Sequence, residues 1–332
     1  MLLPFENSNA AHVFRWAYQG PPRPLKTYLL ERYAGGRPPD WAHSFYPQRV
    51  RKNEAQVDAT SWVTAGDRMA YLHLREEEPP LPGPLRVLYQ DPWMVVIHKP
   101  DGVPVSPGGV FYFSSLAIWA REALGQPDLT PIHRLDLETD GPVVFVRQKA
   151  HLARFHQMFA QQTLHKRYRA LVHGVVSSDL QQISGRIAPD PNATIHTRLV
   201  LFPQPAPEPP QSLTRIHQVR VLWASGKPFS ELTLEPVTGK TNQLRVHLAA
   251  VGHPIVGDKK YHPDPAVFLD WLAHRDYERL RPLLLLRRQA LQCHSLAFTH
   301  PFTGEAVEVV APPEAWGHKL GELTLVPGEG VI

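Results

Sequence analysis

The sequence predicts an α+β fold with a small N-terminal module. Short β-rich runs and helical stretches alternate without a regular strand-helix-strand rhythm. Hydrophobic residues make up 43% of the 332 positions and charged residues 20%, the balance of a chain that can bury a sizeable core. The length exceeds one usual domain, and Pro79, Pro80, Pro82 and Pro84 around Gly83 read as a stiff extended linker between a small module and a large one.

In chain order, Leu25, Tyr28, Leu29 and Tyr33 have helical spacing within 24–34, and 59–74 reads as short strands around a Gly66-Asp67 turn. Together they make a helix-plus-hairpin unit. Beyond the linker, Leu85 to Tyr89 and Trp93 to Ile97 are strands broken by Asp91-Pro92. PVVFVRQ (142–148) is an apolar strand, 149–162 a helix with Leu152, Phe155, His156 and Phe159 on one face, and 165–174 another strand. Residues 228–240 alternate as a strand, and 241–252 form a short helix with Leu244, Leu248 and Val251 inward and Gly252 as its stop. FPQPAPEPPQ (202–211) reads as an exposed inserted loop. In a second insertion, 261–289, a helix from Val267 to Arg281 is ended by Pro282. Thr303-Gly304 closes a C-terminal hairpin.

Composition excludes several classes. No run of 18 apolar residues occurs, and the N-terminal MLLPFENSNAAHVF lacks a basic segment followed by a long apolar one, so neither a membrane anchor nor a secretion signal is expected and a cytoplasmic location is. A lone cysteine, Cys293, excludes a disulfide framework and a cysteine zinc site. Lys and Arg number 35 against 31 Asp and Glu, a surplus that permits a polyanionic partner without demanding one. SFYPQRVRKNEAQV (44–57) and TLHKRYRALVHG (163–174) interleave cations with aromatics as nucleic-acid surfaces do, although a solvated face would look the same.

The chemistry concentrates in HRLDLETDG (133–141), where charges crowd a turn with little to bury. Alone it would read as a surface ion-pair cluster. A second polar cluster, 238–258, places Arg245 and His247 in an otherwise apolar helix, and a buried arginine needs an anionic partner. Asp136 is the candidate.

HKPDGVPVSP (98–107), HRLDLETDG, KRYRALVHG (166–174), TGKTNQLRVHLAAVGHPIVGDKKY (238–261) and RRQALQCHSLAFTHP (287–301) resemble, in order, the motifs of the RluA-type RNA pseudouridine synthases. The resemblance implies the family's catalytic fold, a central mixed and mostly antiparallel sheet flanked by helices and loops, over 86–316. It implies an isomerase that rejoins uracil to ribose through carbon 5, without metal or organic cofactor, and an RNA partner: ribosomal RNA, 23S before transfer RNA. Asp136 matches the catalytic aspartate, Arg245 the arginine that pairs with it, and Tyr168 the tyrosine packed on the flipped base and able to assist removal of the carbon 5 proton. Arg134 matches the residue that fills the gap left in the RNA. His133, Thr139, Lys99, Lys240 and Asn242 complete the substrate-binding set, and a monomer is expected. Asp140 stands where the family usually has serine or alanine, and Lys240 and Asn242 where it often has arginine and histidine.

The remaining chain divides into an N-terminal extension (1–23), a module (24–75) that resembles the αL RNA-binding domain of ribosomal small-subunit protein four, a Pro-rich linker (76–85) and a C-terminal tail (317–332). Three alternatives stand beside this reading. A catalytically silent RNA-binding protein on the same fold would not need Asp136, a glycoside hydrolase would need two opposed carboxyls, and a metal site of His133, Asp136 and Asp140 would lack the usual ligand spacing.

Overall fold

The computed structural model describes residues 6–32, 49–58, 60–108, 111–160, 164–195, 197–203, 210–313, 319–320 and 323–327. By contacts the chain divides into two units, Met1–Pro84 with Val103–Pro127, and Leu85–Gly102 with Asp128–Ile332. Among the described residues no helix is long and apolar enough to cross a membrane.

The first unit contains β1 (Ala11–Ala17), β2 (Arg23–Pro24), α1 (Leu25–Arg32), β3 (Val50–Lys52), β4 (Ala55–Gln56), β5 (Trp62–Val63), β6 (Arg68–Leu74) and α2 (Leu116–Leu124). Its antiparallel sheet runs β1-β6-β3-β4, and β2 pairs with β5. One face of β6 meets Leu25 and Leu29 of α1 through Met69 and Tyr71. The other packs Ala70, Leu72 and Leu74 on Val13. The helix expected in 24–34 is observed up to Arg32; Tyr33 and the front of the 44–57 stretch lie outside the described residues. Gly66 does form a turn, with φ +94°, but its flanking strands pair elsewhere. The cause is β1, within the stretch taken as an extension. Its seven residues align on all of β6, from Ala11 opposite Leu74 to Ala17 opposite Arg68, where β5 could offer two. The tight hairpin is instead β3–β4 around Asn53-Glu54, both at positive φ, the geometry that matches strand twist.

The Pro-rich stretch opens on a buried group. The Glu78 carboxylate accepts the backbone N–H of Tyr112, Phe113 and Ser114 at 2.8, 2.9 and 2.7 Å, and lies 2.7 Å from the His73 ring. Burial pushes its pKa up, and these bonds outweigh burial to hold it below the ordinary value. They are among the contacts that join 103–127 to the first unit, beside the His12 ring stacked on Tyr112 at 3.5 Å.

The second unit begins with β7 (Arg86–Gln90), β8 (Met94–Lys99), β9 (Thr130–Pro131) and β10 (Gly141–Val146), in the antiparallel order β7-β8-β10-β9. β8 and β10 are buried along almost their whole length, which is why both read as continuous apolar runs. A larger sheet follows: β11 (His165–His173), β12 (Gln182–Pro189), β13 (Leu199–Phe202), β14 (Ser212–Ala224), β15 (Lys227–Pro236), β16 (Leu291–Thr299) and β17 (Ala306–Val310). Their order is β13-β12-β14-β15-β11-β16-β17, all antiparallel. Val326–Pro327, within the expected tail, adds to β14. The two sheets meet at a bridge between Asp140 and Gln292. There Gly141 has φ +130°, and a Cβ would sit 2.3 Å from the Cys293 carbonyl. Only glycine fits.

Helices α3 (Leu152–Ala160), α4 (Gln243–Ala250), α5 (Ala266–His274) and α6 (Tyr277–Leu284) complete the unit. The single helix expected from Val267 to Arg281 is two. Arg275 turns left-handed at φ +53° to end α5, and Asp276 restarts the chain by capping the Glu278 N–H at 2.9 Å. Pro282 lies inside α6, which ends two residues later. Between β13 and β14, where the inserted loop was expected, residues 204–209 lie outside the described residues.

Candidate active site

HRLDLETDG connects β9 to β10, and its polar groups are nearly all engaged. Glu138 meets Lys259 at 2.7 Å and accepts the Gln289 N–H at 3.2 Å. Thr139, 2% exposed, accepts from the Gln289 side chain at 2.7 Å. Asp140 accepts from Gln292 at 2.9 Å. Three successive side chains are thus fastened to the segment entering β16, while His133 accepts the Val144 N–H of β10 at 3.1 Å. The crowd of charges is a set of fasteners.

Asp136 remains in the open part of the loop, its side chain 30% exposed. Its Oδ2 accepts from Arg245 NH1 at 3.0 Å. Among the described residues no other side chain donates to Asp136, which leaves Oδ1 without a protein donor. Arg245 lies in the first turn of α4 and also binds Asp258 in a two-point fork, Nε to Oδ2 at 2.6 Å and NH2 to Oδ1 at 2.8 Å. Burial disfavours the guanidinium, yet Asp258 and then Asp136 more than compensate and hold its pKa above the usual arginine range. Burial likewise opposes ionisation of Asp258, and Arg245 overcomes it. The Tyr261 ring lies 5.1 Å from the guanidinium, and Asn242, left-handed at φ +55°, donates to the Tyr261 hydroxyl at 3.1 Å and accepts from Arg245 at 3.3 Å.

A cleft of about 580 Å³ opens here, lined by Asp136, Arg245, Tyr168, Arg134, Lys240 and Asn242 among others. Tyr168 stands on β11 opposite a bulge at His294 and is 9% exposed. Burial, then the neighbouring Cys293 and Asp136, push its phenol well above the ordinary value. Arg134 is exposed on the cleft wall, as is Lys240.

Of the expected residues, Lys99 and His133 are not brought to the cleft. Lys99 is fully buried and donates to the carbonyls of Pro100 and Leu137 at 2.8 and 3.0 Å. The Lys99 ammonium and His133 Nε2 both bond backbone groups, and neither side chain lines the cleft. Thr139 borders the cleft but spends its hydroxyl on Gln289. His133, Asp136 and Asp140, the set considered for a metal, face three different partners. Asp258 was missed. Its only sequence signal is its place after Gly257 in the same polar motif as Arg245. Glu235 and Arg215, on neighbouring strands at the cleft rim, were missed too: strand β14, which carries Arg215, was not foreseen, and on the foreseen β15 nothing in the alternation marks Glu235 as facing the cleft.

The RNA pseudouridylate synthase family matches residues 93–250. The dual-specificity RNA pseudouridine synthase RluA of Haemophilus influenzae is 30% identical over 236 residues, 70% of this chain and 95% of that protein. The ribosomal large subunit pseudouridine synthase C of Vibrio cholerae is 26% identical over 285 residues, 80% of this chain and 82% of that protein. Among solved structures, human RNA pseudouridylate synthase domain containing 1 aligns with a TM-score of 0.54 at 26% identity, covering 71% of this chain and 86% of that one. The class is therefore that of enzymes acting on uridine within RNA. The chain belongs to the RluA-type RNA pseudouridine synthases and isomerises uridine to pseudouridine in RNA.

Proposed function

We propose that Asp136 is the catalytic carboxylate and that the substrate is a structured region of ribosomal RNA, 23S in particular, bound by a cytoplasmic monomer. The observation that supports the first part most directly is the 3.0 Å pair between Asp136 and Arg245 inside the cleft. Arg245 is anchored by Asp258, so it can orient Asp136 without being drawn out of place. The free Oδ1 is available for covalent catalysis. In the net reaction the bond from ribose carbon 1′ to uracil nitrogen 1 breaks, the base turns, carbon 5 bonds to carbon 1′, and the carbon 5 proton leaves while nitrogen 1 gains one.

Because a stacked base hides these atoms, the uridine must flip out, at a cost of a few kcal/mol. Tyr168 supplies a platform for the extruded base. Its raised pKa keeps the phenol protonated near neutral pH, so it does not serve as a resting base for the carbon 5 proton. Arg134, Lys240 and Asn242 line the path of the RNA, and the 24–75 module adds a second RNA contact to the 86–316 catalytic region. The ribosomal preference draws on the Vibrio cholerae relative's name.

Pseudouridines are mapped across total RNA from a strain lacking the gene, complemented with wild type or with Asp136→Asn. Wild type restores specific sites and the variant restores none. Sites confined to transfer RNA would overturn the ribosomal assignment, and full restoration by Asp136→Asn would overturn the catalytic one.

A further inference from the structure

Asp140 occupies the position where the family usually has a small residue, and the fold buries it to 1% exposure. A carboxylate taken from water is costly unless cations and donors meet it. Here they come from three directions. Gln292 of β16 donates Nε2 to Oδ2 at 2.9 Å, and His98 of β8 brings Nε2 within 3.5 Å of the same oxygen. Arg288, ahead of β16, brings NH1 within 3.6 Å of Oδ1 and reaches Asp101 at 3.3 Å. Lys99 of β8 is the second cation, and its ammonium holds the carbonyl of Leu137, the residue after Asp136. The Asp140 carbonyl also accepts the Cys293 N–H at 2.9 Å.

We infer that Asp140 is a positioning residue for the reaction: its buried negative charge, set against Lys99 and Arg288, clamps the loop carrying Asp136 to β16. This rests on the reading of Asp136 as the catalytic carboxylate. A serine could share a hydrogen bond with Gln292 but could not balance two cations. The balance also gives the clamp a pH dependence. Burial pushes Lys99 down to about 7, against the opposing pull of Asp140, Asp101 and Asp136, while Arg288 acts with burial. Those four charged groups face Lys99 from its own loop, from the Asp136 loop and from the approach to β16. His98 faces Asp140 from β8. Without the Asp140 charge, Lys99 releases its proton at a lower pH, and with it the charge that draws the loop together.

The test uses the full-length protein, total RNA from a strain lacking the gene, and the variants Asp140→Asn, Asp140→Ser and Asp136→Asn. Single-turnover pseudouridine formation and RNA affinity are followed from about pH 6 to 9. Asn keeps the shape and, with its Oδ1 toward Gln292 Nε2, the hydrogen bond, while Gln292 keeps its bond to the Pro312 carbonyl, so the charge is the main thing removed. For Asp140→Asn the rate constant falls by about tenfold or more with RNA affinity within about twofold, and the alkaline decline in rate begins about one pH unit earlier. Asp140→Ser shows the same displacement and stands in if the Asn variant does not fold. Wild-type rate and pH profile in a folded Asp140 variant would overturn the inference, as would a loss confined to RNA affinity or one with an unmoved profile. If Asp136→Asn itself stays active, the catalytic reading fails first and the positioning role falls with it.

Discussion

Arg245 divides its guanidinium between two carboxylates of opposite accessibility. Asp258 is fully enclosed, whereas Asp136 is open to the cleft. The two should therefore fail differently. Asp258→Ala strands a buried cation and is expected to cost about 3–5 kcal/mol of folding stability together with activity, read as a lower urea midpoint. Asp136→Asn removes activity while leaving that midpoint nearly unchanged, because a partly exposed carboxylate with one partner contributes little to stability. The need of Arg245 for an anion was legible in the sequence, since a charged residue among inward apolar ones must be paired. Its principal partner was not. Nothing in the spacing of Gly257-Asp258-Lys259-Lys260 tells a buried fork from a surface turn, and only the return of 258 beneath α4 makes the difference.

At the scale of elements, α4 and β11 each carry a histidine that burial keeps neutral. His247 of α4 lies 2.9 Å from the Ser212 hydroxyl and is lowered to about 4, and His173 of β11 is lowered to about 4, with burial the leading cause for both. Between pH 6.5 and 4 the unfolded chain takes up protons on these rings and the native one does not, so their contribution is present above 6.5 and is lost as pH falls. His247 alone removes on the order of 2 kcal/mol between about pH 7 and 5. Urea titrations at the two pH values check this, and His247→Asn should flatten the difference. Gly141→Ala tests the junction of the two sheets. Its Cβ collides with the Cys293 carbonyl, and a much lower melting temperature is the expected result. Elements with strong apolar periodicity, β8, β10, α3 and α4, were legible because each buries a continuous run or face. β12 to β14 were not: β13 has four residues, all half-buried, and along β14 burial alternates only loosely, with Arg215, His217, Gln218 and Arg220 exposed. The break between α5 and α6 escaped because Arg275 adopts a left-handed conformation that its residue type does not announce.

For the whole molecule, formal net charge is only +4, so RNA affinity must come from where the cations sit rather than from their number. Arg134 and Lys240 at the cleft, if they reach phosphates, release counterions on binding. Affinity for total RNA should then fall steeply between about 50 and 200 mM salt, and a flat response in filter binding would refute phosphate contact. The α+β class was readable from short apolar runs and helical stretches that alternate without a regular strand-helix-strand rhythm. That 103–127 clusters with the first unit was not, because the contacts that join it, Glu78 on three amides some 35 residues away and the His12 ring stacked on Tyr112, link residues far apart in sequence.

That carboxylate governs how the protein can be dissected. The chain crosses between its units at three places, so cutting at the prolines separates only one crossing. A polypeptide begun at Leu85 would retain 103–127 but lack Glu78, leaving the amides of Tyr112, Phe113 and Ser114 without their acceptor. The first unit is thus not a detachable accessory: residues 103–127, inside the segment that matches the synthase family, cluster with it and supply the amides that Glu78 holds.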